Sequence, residues 1–180
     1  MNTHYFIGIK VPDSIASSII EARNKTNLHE THKTLPVAED LHITLFYLGA
    51  VESNLMELVI QSLQSIDWNS FTLTTSVLSH FGNDQTPRVV YLALEENRNL
   101  ISLQQEVLKR IASVLEIDVS KDFHPHITLA KKWASKAIFQ TVNPFMENKS
   151  FDVNGFSIFK INPTSTPRYE KFSSIRFRRV

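Results

Sequence analysis

The chain is expected to adopt an α+β fold: two pseudo-two-fold-related antiparallel sheets lining a central groove, with helices on the outside. Three observations predict it. Apolar periodicity switches repeatedly between two and about 3.6 along the chain, so strands alternate with amphipathic helices. Sliding the sequence by 84 residues lays one strand–helix–strand–helix–strand plan on another, the pattern of a duplicated βαβαβ unit rather than of a short-period solenoid. The tetrapeptide His-Ile-Thr-Leu occupies the same place in both halves, at His42 and at His126.

In chain order, Tyr5–Val11 reads as an apolar strand. Pro12-Asp13 opens a helix with Ile15, Ala16, Ile19 and Ile20 at helical spacing. Residues 24–36 read as a polar loop. Leu41–Gly49 is a strand whose alternation sets Ile43, Leu45 and Tyr47 on one face and His42, Thr44 and Phe46 on the other. A second helix carries Leu55, Leu58, Val59, Ser62, Leu63 and Ile66, and Phe71–Leu78 is a strand. Phe81–Pro87 (FGNDQTP), dense in turn residues, is the expected lobe boundary within a single bilobal domain spanning 1–180. Arg88–Leu94 is a strand, and Asn99 is positioned to cap a long helix bearing Leu100, Leu103, Val107, Ile111 and Val114. The second His-x-Thr strand follows, then a short helix from Ser135 and strands from Phe151 and Tyr169. A parity shift across Asn154-Gly155 suggests a bulge.

Composition narrows the function. With 42% hydrophobic and 21% charged residues the chain can bury a real core. Nineteen basic residues against eighteen acidic ones exclude a global field for nucleic acid or membrane, so any anion must be held locally. The absence of cysteine removes disulfides, thiolate nucleophiles and zinc–thiolate sites, and fits a reducing compartment. No basic leader precedes the first apolar run and no run is long enough to span a membrane, so a cytoplasmic protein without membrane association is expected. Nothing implies an obligate protein partner.

Each His-x-Thr motif offers an imidazole and a hydroxyl on one strand face, about 6 to 7 Å apart. Two such pairs facing one another would let one histidine act as base and the other as acid near neutral pH, with threonine hydroxyls donating to phosphoryl oxygens. Phosphodiester chemistry suits that arrangement. Taken singly, either histidine would be an ordinary solvated strand residue; the repeated spacing is what points to catalysis. His124 and His126 could also be a metal-ligating pair, but Pro125 breaks the strand geometry and no third ligand is apparent, so no metal or cofactor is expected. His4, His29, His32 and His80 read as surface or structural. Phe46 could stack a base or simply line the groove. Arg176, Arg178 and Arg179 read as a solvated strand end.

Five segments in order resemble the two-histidine (2H) phosphoesterase superfamily, and within it the bacterial RNA 2′,3′-cyclic phosphodiesterases, also called 2′-5′ RNA ligase-like: YFIGIKVPDSI, LPVAEDLHITLFYLG, TPRVVYLAL, FHPHITLAK and FKINPTSTPRYEKFSSIRF. The resemblance implies metal-independent hydrolysis of RNA or nucleotide 2′,3′-cyclic phosphate ends to 2′-phosphates. His126 would be the proton acceptor for water and His42 the proton donor to the 3′ oxygen, with Thr44 and Thr128 on phosphoryl oxygens. It also implies substrate contacts from Arg168 and Tyr169. Lys131 stands where the family commonly has arginine and cannot make the same bidentate fork; strict alternation puts it on the face opposite His126 unless a bulge intervenes. Two other readings stay open: reversible 2′-5′ ligation or cleavage in the same groove, and a non-catalytic module binding RNA ends, which the intact histidine pair disfavours.

Overall fold

The computed structural model describes residues 3–142 and 144–178. Among these, four α-helices and nine strands follow in the order β1 (His4–Lys10), α1 (Asp13–Asn24), α2 (Leu28–Thr31), β2 (His32–Thr34), β3 (His42–Ala50), α3 (Ser53–Gln64), β4 (Phe71–Gly82), β5 (Pro87–Leu94), α4 (Arg98–Ala112), β6 (His126–Trp133), β7 (Ser150–Val153), β8 (Gly155–Ile161) and β9 (Tyr169–Arg176). The α+β class stands as expected, but the strands expected as two sheets form one continuous nine-stranded sheet, because β3 and β6 pair edge to edge. The strands run β7-β4-β5-β6-β3-β1-β8-β9, with β2 added on β6, and all their pairings are antiparallel. The two halves of this order meet at β3 and β6, through the pair Ile43 and Ile127.

One face of the sheet is aliphatic because the alternation demands it. Ile7, Ile9, Ile43, Val90, Leu92 and Ile127 are buried there in one cluster with Ala16 and Ile19 of α1, Met56, Val59 and Leu63 of α3, and Leu100, Leu103, Val107 and Ile111 of α4. The helices therefore cover one side, and the His-x-Thr residues look out from the other.

Several local expectations are corrected. The cap of α4 is Asn97, whose side-chain oxygen accepts from the Leu100 N–H at 3.0 Å; Asn99 lies inside the first turn. Residues 24–36 are not merely loop: α2 and β2 lie there, with Leu28, Thr31 and His32 buried. Among the described residues no helix starts at Ser135. The break at Asn154-Gly155 is where the chain leaves β7, paired with β4, and enters β8, paired with β1 and β9. Close approach explains the glycine, since a Cβ there would lie 2.2 Å from the Ile175 carbonyl. Apart from these corrections, residues 81–87 form the tip of the β4–β5 hairpin, with Gly82 paired to Pro87.

Candidate active site

In the antiparallel pairing through Ile43 and Ile127, Thr44 comes opposite His126 and His42 opposite Thr128. All four side chains share the face away from the helices. The two histidines occupy diagonal corners, a register that sets Cα atoms roughly 7–8 Å apart, and His126 is close enough to disfavour charge on His42.

Both rings are held in the same way. The His42 Nδ1–H donates to the Asp40 carbonyl at 2.7 Å, and the His126 Nδ1–H donates to the His124 carbonyl at 2.6 Å. A carbonyl can only accept, so Nδ1 carries the proton in the neutral ring and Nε2 is left with its lone pair toward the site. The Thr44 hydroxyl donates to His42 Nε2 at 3.1 Å. Aromatic rings wall both imidazoles: Phe6 at 4.4 Å and Tyr169, edge-on, at 5.0 Å from His42; Tyr91 at 5.0 Å and Phe81 at 5.1 Å from His126. This burial lowers both histidines below their ordinary value. His42 falls from 6.5 to about 4, with the Asp40 carbonyl and charge opposing burial and Lys131 and His126 reinforcing it. His126 is lowered chiefly by burial and further by the charge of His124.

A pair of equivalent bulges decides which neighbours join the site. Thr44 pairs with Gly8 and Phe46 with Ile7, leaving Leu45 as an extra residue; likewise Thr128 pairs with Tyr91 and Ala130 with Val90, leaving Leu129. Each bulge falls three residues past its histidine and inverts the alternation beyond it. Lys131 is thereby returned to the histidine face, where its charge reaches His42. Phe46, expected on that face, pairs with Ile7 and packs partly buried against the core, and it also lines the cleft beside Thr44 and His126. Tyr47, which strict alternation had put on the apolar face, lies opposite Phe6, is 54% exposed, lines the same cleft and bonds His4 through its hydroxyl. The Leu45 parity signal hid this bulge, because a leucine is apolar on either reading.

The other expected contacts divide. Arg168 and Tyr169 lie beside His42, held by Asp40: its buried carboxylate accepts the Arg168 N–H at 2.9 and 3.0 Å and the Tyr169 N–H at 3.1 Å. Lys131 feels the charge of Arg168, and burial lowers its pKa. Asp40 was missed by sequence reasoning, and the repeat was its only signal, since it stands where His124 stands in the second half. Arg178 is engaged with Asp67 and lies away from the histidines, while Arg179 is outside the described residues. His32 is structural: buried, its Nε2 donates to the Pro87 carbonyl at 2.9 Å.

Past the shared pair, β3 and the segment leading into β6 diverge. The gap is a cleft of about 550 Å³ lined by Thr44, Tyr47, Phe81, Phe123 and His126 and floored by Gln104 and Leu108 of α4. Among the described residues, no three His, Asp or Glu side chains converge as metal ligands, and no helix is long and apolar enough to cross a membrane.

Comparison with known proteins agrees with this geometry. The family described as the 2′-5′ RNA ligase superfamily matches residues 11–163. An RNA 2′,3′-cyclic phosphodiesterase of Bacillus subtilis is 30% identical over 171 residues, 93% of each chain. A protein of the same name from Escherichia coli is 33% identical over 156 residues, covering 86% of this chain and 84% of its own. Among solved structures, E. coli LigT complexed with 3′-AMP superposes with a TM-score of 0.86 at 26% identity, over 98% of this chain and 99% of LigT.

Proposed function

The chain belongs to the 2′-5′ RNA ligase superfamily, and on that premise we propose that it is a hydrolase that opens 2′,3′-cyclic phosphates at RNA or oligonucleotide ends, leaving 2′-phosphates. The observation that carries the reading is the matched tethering of two imidazoles, each with Nδ1–H on the carbonyl two residues back, which leaves Nε2 unprotonated in the neutral ring.

The chemistry follows from that tethering. The His126 Nε2 lone pair takes a proton from water as its oxygen attacks phosphorus. The bond from phosphorus to the 3′ oxygen breaks, and the Nε2–H of protonated His42 passes to that oxygen. His42 must be charged for this step, whereas burial pushes its pKa down to about 4. The phosphodiester brings its own negative charge beside Nε2 and so favours the imidazolium. Protonation also ends the acceptor role of Nε2 toward Thr44, freeing that hydroxyl to donate to a phosphoryl oxygen; Thr128 serves the other side. Lys131 and Arg168 supply positive charge on the His42 side, and Tyr169 walls the leaving-group end.

The test is turnover of a 2′,3′-cyclic mononucleotide and a cyclic-phosphate-ended oligonucleotide with EDTA present, for wild type, His42→Ala and His126→Ala. Each variant is expected to lose on the order of 10²–10⁴-fold in kcat, with 2′-phosphate as the wild-type product. Tight RNA binding without turnover in all three proteins would mark a binding module instead.

A further inference from the structure

The two halves of the site share backbone geometry, yet one imidazole must give a proton and the other take one. The repeat shows where they differ. Offset by 84, the residue two before each histidine accepts the Nδ1–H through its carbonyl, but its side chain is Asp40 in one half and His124 in the other. We infer that these side chains assign the roles: Asp40 is the positioning residue that favours a protonated His42, and His124 the one that disfavours a protonated His126. This rests on the acid–base reading above.

The surroundings of the two side chains differ as the inference requires. Asp40 is buried, 4% exposed, and its carboxylate takes three backbone N–H bonds from Arg168 and Tyr169, which fix a negative charge beside the ring that Tyr169 abuts. The other charged or titratable groups packed around His42 are Lys10, opposite it in β1, Lys131 and His126 of β6, Arg168 and Tyr169. Lys10 is engaged with Asp13 at 3.0 Å, so Asp40 is the anion left to answer the imidazolium. His124 is exposed at the mouth of the cleft, and any charge it carries is positive; the other charged or titratable groups on the His126 side are Tyr91 against the ring and Glu116, Asp118, Lys121 and Asp122 lining the cleft. The neighbouring charges act accordingly, Asp40 raising the pKa of His42 and His124 lowering that of His126, against burial that lowers both.

Ring titrations by NMR on the ligand-free full chain test this without relying on turnover. Asp40→Asn should lower the His42 midpoint by about one unit and leave His126 in place. His124→Asn should raise the His126 midpoint and leave His42 in place. In kinetics, Asp40→Asn should cut kcat at neutral pH about tenfold, with KM changed less than about threefold, and move the basic limb of kcat downward. His124→Asn should move the acidic limb upward. Unmoved ring midpoints, or equal shifts of both rings in either variant, would overturn the inference, as would a purely thermal-stability loss with an unchanged pH profile. If Asp40→Asn does not fold, the exposed His124→Asn decides alone. Failure of the acid–base reading is separately visible, as full turnover by His42→Ala.

Discussion

The neutral burial of His42 makes the ligand-free protein sensitive to acid, and the size of the effect can be worked out. The unfolded chain binds a proton at His42 near 6.5, whereas the folded chain does so only near 4, where Phe6 and Tyr169 exclude water from the ring. Because the folded pKa is depressed, the folded state binds fewer protons, and stability is lost as pH falls from 6.5 toward 4. The loss contributed by this group at pH 4 is about 3 kcal/mol, at roughly 1.4 kcal/mol per pH unit across the window. A His42→Gln variant lacks the titrating ring but keeps a polar side chain of similar reach. Urea unfolding followed by the fluorescence of Trp68 and Trp133, at pH 7.5, 6, 5 and 4, isolates the effect as the difference between the two proteins, since other titrating groups cancel. That difference should move by about 3 kcal/mol against the wild type between pH 7.5 and 4. Inorganic phosphate should shrink it by stabilising the imidazolium. A difference that stays flat across the window would refute the burial argument.

Other perturbations test the site's construction. Gly8→Ala would place a Cβ 2.8 Å from the Ile43 carbonyl, between His42 and Thr44; it should cost about 1–3 kcal/mol in urea unfolding and lower kcat with it. Phe46→Ala should destabilise the fold by about 2 kcal/mol, whereas Tyr47→Ala should leave stability nearly unchanged and raise KM for a cyclic-phosphate oligonucleotide. Lys131→Met should also raise KM, with an effect that shrinks as salt screens the remaining cations. Thr44→Val should lower kcat on the order of 10²-fold, as loss of one phosphoryl donor would.

Much of this was legible in the chain. The His-Ile-Thr-Leu repeat marked both catalytic candidates and their threonines, because chemistry that needs two imidazoles on one face imposes the same short pattern twice. The three long helices were legible as well, since burial of Ile19, Val59 and Val107 requires 3.6-residue periodicity. The faces beyond the threonines were not. A bulge leaves no compositional mark when the extra residue is a leucine that packs into the core either way, so Tyr47 came out to the cleft and Lys131 crossed to the site. Asp40 was illegible for a different reason: its partners, the amides of Arg168 and Tyr169, lie 128 and 129 residues away, and backbone N–H groups are the same in every sequence.

By itself, then, the sequence determined the α+β class, the candidate histidine pair and the class of chemistry, because each depends on side-chain type and local period. Tertiary structure alone decided that β3 and β6 lie side by side, which neighbours face the two histidines, and that burial pushes the His42 pKa down. Those outcomes depend on strand register and on desolvation, and both arise only when distant segments pack together.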